Sequence, residues 1–223
     1  MGTDADALVL YGYWRSSAAY RVRIGLNLKR LAWTHRAVHL AHGDQHQDAH
    51  ARLNPMHAVP VLVHGDRVLR QSLAILEYLD EAGLGGEAAP GLLPTGPLAR
   101  AKVRELAQLV ACDIHPLNNL RVVQHLESAY AVAGEARAEW MRHWMTEGFR
   151  AFEALLADAP AGDFCHGDAP SLADACLIPQ LYNAHRFKLD LSPFPRIRCI
   201  EAACMALPAF ESARPENQPD ASP

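Results

Sequence analysis

The chain has 223 residues, half of them hydrophobic and 21% charged, with a formal net charge of −4 when histidine is neutral. That length and apolar content suffice for one large or two modest domains with real cores. No basic block marks a nucleic-acid surface, and no apolar run approaches the ~20 residues that cross a bilayer. The start, Met1-Gly2-Thr3-Asp4-Ala5-Asp6, is acidic and lacks the positive region of a signal peptide. Five cysteines (Cys112, Cys165, Cys176, Cys199 and Cys204) are odd in number and scattered, with no C-x-x-C. They fit reduced thiols of a cytoplasmic protein, most of them small core residues, rather than a disulfide framework.

In chain order, Leu8 to Tyr13 reads as a strand. Ser17 to Leu28 reads as a helix, with Val22, Gly25, Leu26 and Lys29 stepping round by three and four. Trp33 to Leu40 reads as a second strand, and a polar, His-rich stretch then ends in a short helix before Asn54-Pro55. His42, His46 and His50 recur every four residues, which would place them on one helix face. Three imidazoles are metal-ligand chemistry, but there is no H-E-x-x-H and no carboxylate at ligand spacing, so the expectation is a solvated polar face and no metal. Two apolar runs around Gly65-Asp66 predict a hairpin, and Pro60 falls at its first strand position, with a cis and an ordinary trans bond both open. Ser72 then opens a helix through Ile75, Leu76 and Leu79.

The order is βαβ followed by ββα, a small α/β domain over residues 6–84. Glycines and prolines from Gly83 to Pro97 mark a linker, taken as 85–97. Beyond it Leu98 to Cys112, Ala136 to Ala157, Ser171 to Leu181 and Pro195 to Ala206 are helical runs, so residues 98–215 form an all-helical domain. Ser171-Leu172-Ala173-Asp174 has capping-box spacing, with Asp in place of Glu. Residues 216–223 read as a frayed tail.

The chemistry concentrates where the first strand hands over to the first helix, in Trp14-Arg15-Ser16-Ser17-Ala18-Ala19. Backbone N–H groups and the helix dipole favour an anion there, and a thiolate held there would have its pKa lowered. The turn has no cysteine. A thiol would have to arrive with a ligand, which points to a glutathione-type cofactor.

Several separated segments, in the right order over nearly the whole chain, resemble the zeta class of the glutathione transferase superfamily. They are Ser16-Ser17-Ala18-Ala19-Tyr20-Arg21-Val22-Arg23-Ile24, Asn54-Pro55-Met56-His57-Ala58-Val59-Pro60, Gln71-Ser72-Leu73-Ala74-Ile75-Leu76-Glu77-Tyr78-Leu79 and Ile114-His115-Pro116-Leu117-Asn118-Asn119-Leu120. The signature cysteine of that class is Ala18 here, which removes a thiol role for the protein itself and leaves the serine role intact. The resemblance implies the two-domain glutathione transferase fold, with an N-terminal thioredoxin-like α/β domain and a C-terminal all-α domain. It implies glutathione as a cofactor that is not consumed, a homodimer, and cis–trans isomerisation of maleylacetoacetate in aromatic amino acid catabolism. Isomerisation of maleylpyruvate in the gentisate route, a general glutathione-conjugating transferase and a non-catalytic docking module remain the alternatives.

The same resemblance assigns roles. Ser16, with Ser17 beside it, would donate to the glutathione sulfur. Gln71 and Ser72 would hold the γ-glutamyl end, Val59 would pair its backbone with the cysteinyl peptide, and Gln45 would meet the glycyl end. His115, Asn119 and Arg121 would add glutathione contacts, made from the second domain or from the dimer partner. A dicarboxylate or keto-acid substrate calls for cationic forks, and Arg15, Arg121 and Arg186 are the candidates.

Overall fold

The computed structural model describes residues 6–86 and 89–222; the acidic residues 1–5 and linker positions 87 and 88 lie outside the described residues. The elements in chain order are β1 (Leu8–Gly12), α1 (Ser17–Leu28), β2 (Thr34–Ala37), α2 (Asp48–Leu53), β3 (Val61–His64), β4 (Arg67–Arg70), α3 (Ser72–Glu81), α4 (Pro97–Gln108), α5 (Leu120–Tyr130), α6 (Gly134–Leu155), α7 (Leu172–Arg186), α8 (Pro195–Met205) and α9 (Pro208–Glu211). The chain divides into two compact units. One runs up to Leu92 and takes in the segment from Ala206 onward; the other is Leu93–Met205.

In the first unit the sheet order is β2-β1-β3-β4, with β1 and β2 parallel and the other pairs antiparallel. Leu10 lies opposite Leu62 and both are fully buried. Strand β2 is shorter than its apolar pattern suggests. Val38 N–H still reaches the Gly12 carbonyl at 2.7 Å, but the next N–H, of His39, is taken by Asp44 Oδ2 at 3.0 Å, and the chain leaves the sheet. The Val59–Pro60 bond is cis, and Pro60 stands one residue before β3. Helix α1 is buried almost all round and packs on α3. A Cβ on Gly25 would come within 2.1 Å of Leu76 Cδ2, so only glycine allows that approach. An added methyl there would force Leu76 out of place at a cost of about 1–3 kcal/mol.

The C-terminal segment is not frayed. Arg23 Nε donates to the Ala213 carbonyl at 2.9 Å, Trp14 N–H donates to Asp220 Oδ2 at 3.0 Å, and His35 Nε2 lies 3.0 Å from Asp220 Oδ1. Pro215 and Gln218 are buried. The helical domain as read from the sequence ran to residue 215, whereas these contacts bind everything from Ala206 to the first unit.

The second unit is helical. Helix α4 starts with proline at its first position, where no N–H is needed. It was expected to run to Cys112, but the backbone widens into a π-helix over Leu109–Ile114 and then tightens into a 3₁₀ turn over His115–Asn118. A Cβ on Gly148 of α6 would come within 2.2 Å of Ile114, so this widened turn and α6 meet closely. Helix α5, not read from the sequence, is capped by Asn119. Helix α7 is buried over most of its length and runs through Pro179 to Arg186, past the expected end at Leu181. Its N-terminus is a capping box in which Asp174 accepts from Ser171 N–H at 2.7 Å, Ser171 Oγ–H at 2.8 Å and Cys165 N–H at 2.8 Å. No described helix is long and apolar enough to cross a membrane.

Candidate functional site

The turn between β1 and α1 closes when Ser16 N–H donates to the Tyr13 carbonyl at 2.9 Å. Ser16 is extended, with φ −71° and ψ 117°, and its Oγ accepts from Ala19 N–H at 3.2 Å as the helix N-cap. Accepting that bond leaves the hydroxyl proton for an acceptor outside the helix. The first turn of α1 carries no acidic side chain, so nothing in the helix itself meets the positive end of the dipole. Ser16 is half-buried, Ser17 buried and Arg15 exposed, the last with its guanidinium 5.3 Å from the Trp14 ring centroid.

A second helix start lies in the same unit. Gln71 has φ +69°, in the left-handed region, and its side chain caps nothing; α3 also has no acid in its first turn. Ser72 is buried, and its Oγ accepts from Arg21 Nη1 at 3.2 Å. Arg21 is not legible as a site residue, because its partner lies 51 positions along the chain and leaves no local signal.

Val59 is half-buried just before β3. The carbonyl of its neighbour Ala58 is held by Asn54 Nδ2 at 2.8 Å and His50 Nε2 at 3.0 Å, so the segment is fixed while neither backbone group of Val59 has a partner among the described residues. Gln45 sits in a 3₁₀ turn over Asp44–His46; its carbonyl meets His57 Nδ1 at 3.1 Å, and its Oε1 is buried without a partner among the described residues.

The remaining residues fall in the second unit. His115, Asn119 and Arg121 come together at the start of α5. Asn119 Nδ2 lies 3.5 Å from His115 Nε2, and Asn119 Oδ1 accepts from Arg121 N–H at 3.2 Å. Arg186 stands on a different element, the last turn of α7, where it donates to Asn183 Oδ1 at 3.1 Å and lies over the Phe187 ring.

The histidines depart from expectation. His42 and His46 lie in separate 3₁₀ turns, divided by Gly43 at φ +79°, and His50 lies in α2, so no helix face is shared. His50 is buried, not solvated. Among the described residues no three His, Cys, Asp or Glu side chains are placed to hold a metal ion.

None of the five cysteines is in a disulfide. Burial, reinforced by the neighbouring Asp174 carboxylate, pushes the Cys165 and Cys204 thiols well above their ordinary range, which makes them poor nucleophiles. Burial also pushes the Tyr20 phenol up, against the pull of Arg23, so it offers no accessible proton donor of tuned strength. A cavity of about 410 Å³ opens in the second unit beside Leu156, Phe164, Pro195 and Ile200, and none of the site residues read from the sequence lines it.

These donors and acceptors suit a γ-glutamyl tripeptide thiol. They comprise two helix starts without acids, a backbone edge at Val59, and the buried acceptor of Gln45. Comparison with known proteins gives the same direction. Residues 10–84 match the glutathione S-transferase N-terminal domain model and residues 135–210 the glutathione S-transferase C-terminal domain model. The chain is 52% identical to a probable maleylacetoacetate isomerase of Vibrio cholerae over 217 residues, covering 96% of this chain and 99% of the relative. It is similar to the holo structure of a zeta-class maleyl pyruvate isomerase, with TM-score 0.92 and 44% identity over 96% of this chain and all of the other. It is also similar to a Methylobacterium extorquens maleylacetoacetate isomerase solved with malonate and glutathione, with TM-score 0.88 and 42% identity over 96% of this chain and all of the other.

Proposed function

The chain belongs to the glutathione S-transferase family, and from that premise we propose that it is a glutathione-dependent cis–trans isomerase converting maleylacetoacetate to fumarylacetoacetate. The observation that carries the reading is the α1 start: a serine cap with a proton to donate, no acid in the turn and no thiol of the protein's own. When bound, glutathione would supply the sulfur nucleophile through which the cis double bond is opened to rotation, and it would be regenerated unchanged. The chain's part is electrostatic and positional. Ser16 Oγ–H donates to the sulfur, and the N-terminal N–H groups of α1 favour its ionised form. Val59 offers one N–H and one C=O to an extended peptide, in the manner of an added strand. Ser72 and Gln71 take the γ-glutamyl end and Gln45 the glycyl end, with His115, Asn119 and Arg121 as further glutathione contacts, from this chain or from a dimer partner. Arg15, Arg121 and Arg186 grip the substrate's carboxylates, and Arg15, beside the reactive turn, faces the negative charge that builds at the substrate carbonyl.

Maleylpyruvate is the second substrate to consider, favoured by the likeness to a maleyl pyruvate isomerase structure. The two substrates share the maleyl end and differ in the distal tail. The family resemblance also supports a homodimer working in the cytoplasm. The test is ultraviolet-monitored isomerisation of both substrates with and without glutathione. Turnover that needs glutathione and leaves its concentration unchanged is expected, and the ratio of kcat/KM names the substrate. Glutathione consumed in step with product would point to a conjugating transferase instead.

A further inference from the structure

Helix α1 buries two arginines, Arg21 at 2% exposure and Arg23 at 0%. Arg23 ties backbone together: Nε donates to the Ala213 carbonyl at 2.9 Å and Nη2 to the Trp14 carbonyl at 3.0 Å. Arg21 instead reaches a side chain of the candidate site, donating from Nη1 to Ser72 Oγ at 3.2 Å in a buried bond. Among the described residues that is the only hydrogen bond of the Ser72 hydroxyl.

The chemistry of the pair is one-sided. A guanidinium only donates, whereas a hydroxyl has one proton to give and two lone pairs. With Arg21 on a lone pair, Ser72 is left as a donor. It stands as the first residue of α3, where the free N–H groups also seek an acceptor. The residue before it, Gln71, is held at φ +69° and ψ 117° and offers no side-chain cap. The geometry points to Arg21 as a positioning residue, holding Ser72 as a hydrogen-bond donor to the γ-glutamyl carboxylate of glutathione. This rests on the reading of Ser72 as a glutathione contact. The planar fork of arginine fixes direction as well as charge, so lysine should replace it only in part.

The test is calorimetric titration of glutathione and of its 4-aminobutyryl analogue, which lacks that carboxylate. It compares the intact chain with Arg21→Met, Arg21→Lys, Ser72→Ala and the Arg21→Met/Ser72→Ala pair. Arg21→Met is expected to weaken glutathione ~10-fold, the scale of a lost hydrogen bond to a charged group. It should have no further effect once Ser72 is alanine, leave kcat at saturating glutathione within about 2-fold, and be partly rescued by Arg21→Lys. The analogue should bind all forms about equally. If Ser72→Ala weakens glutathione but Arg21→Met does not, or if the two losses multiply, the coupling is overturned while the Ser72 contact stands. If Ser72→Ala leaves glutathione affinity unchanged, both fall. Should Arg21→Met fail to fold, Arg21→Lys against Ser72→Ala carries the same comparison.

Discussion

Among the described residues two helices, α1 and α7, are N-capped by a serine, and their N-termini are put to opposite ends. At α7 the cap Ser171 is buried and answered by Asp174, which accepts from Ser171 N–H, Ser171 Oγ–H and Cys165 N–H and fills the anion position from within the chain. At α1 the cap Ser16 is half-buried, position 19 is alanine, and the first turn has no acid. A tail carboxylate, Asp220, is engaged instead by Trp14 N–H and His35. The same cap therefore closes one helix and leaves the other able to receive a negative group. What separates structure from site here is the reciprocal acid, not the serine.

The contrast is broken most forcefully at Asp174. Asp174→Ala leaves the N–H groups of Cys165 and Ser171 buried without a partner, at about 1–3 kcal/mol each, beyond the cap itself. A loss of about 3–5 kcal/mol is expected in urea unfolding, with kcat of the folded fraction unchanged. Ser16→Ala should do the reverse. Stability should fall by only about 0.5–2 kcal/mol, the range for a lost cap, while kcat drops ~100-fold or more, the scale of removing one donor from a developing anion.

Ala18→Asp sharpens the comparison by giving α1 the acid it lacks. It should raise stability by about 0.3–1 kcal/mol through the dipole, yet weaken glutathione ~10-fold by placing a like charge beside the sulfur. Equal or better affinity would mean that the α1 start is not where the thiol lies. The smallest effect concerns the tail that holds Asp220. Burial lowers the pKa of His35, with Asp220 pulling the other way, so the folded chain prefers the neutral ring. The unfolded chain then binds the extra proton as pH falls below ~6.5, and stability present above that value is lost on acidification towards the depressed folded value. Tm should fall more steeply between about pH 7 and about pH 5 for the intact chain than for His35→Gln.

The signals legible in the sequence were the local ones. Helix α1 spans Ser17–Leu28 as its periodicity implies, and the hairpin turns at Gly65-Asp66. Ser16 and Ser72 announce themselves as serines at helix starts. What was hidden depends on distance along the chain. The Pro-rich end packs because Arg23, Trp14 and His35, about 190 residues earlier, supply its partners. Arg21 looks like a surface residue of an amphipathic helix until α3 is laid against it. The histidine stretch misled for a different reason: its four-residue spacing is helical, but Gly43 in the left-handed region interrupts the helix. Helix α5 went unread because none of its residues is buried in the chain, although its cap, Asn119, was in plain view.

The most direct measurement is ultraviolet titration of the thiol of glutathione bound to the intact chain and to Ser16→Ala. The account predicts ionisation well below the ordinary thiol value of ~8.5 in the intact chain and a return towards that value in the variant. The same ionisation in both, or an unshifted value in the intact chain, would contradict the claim that the open start of α1 receives a borrowed thiolate.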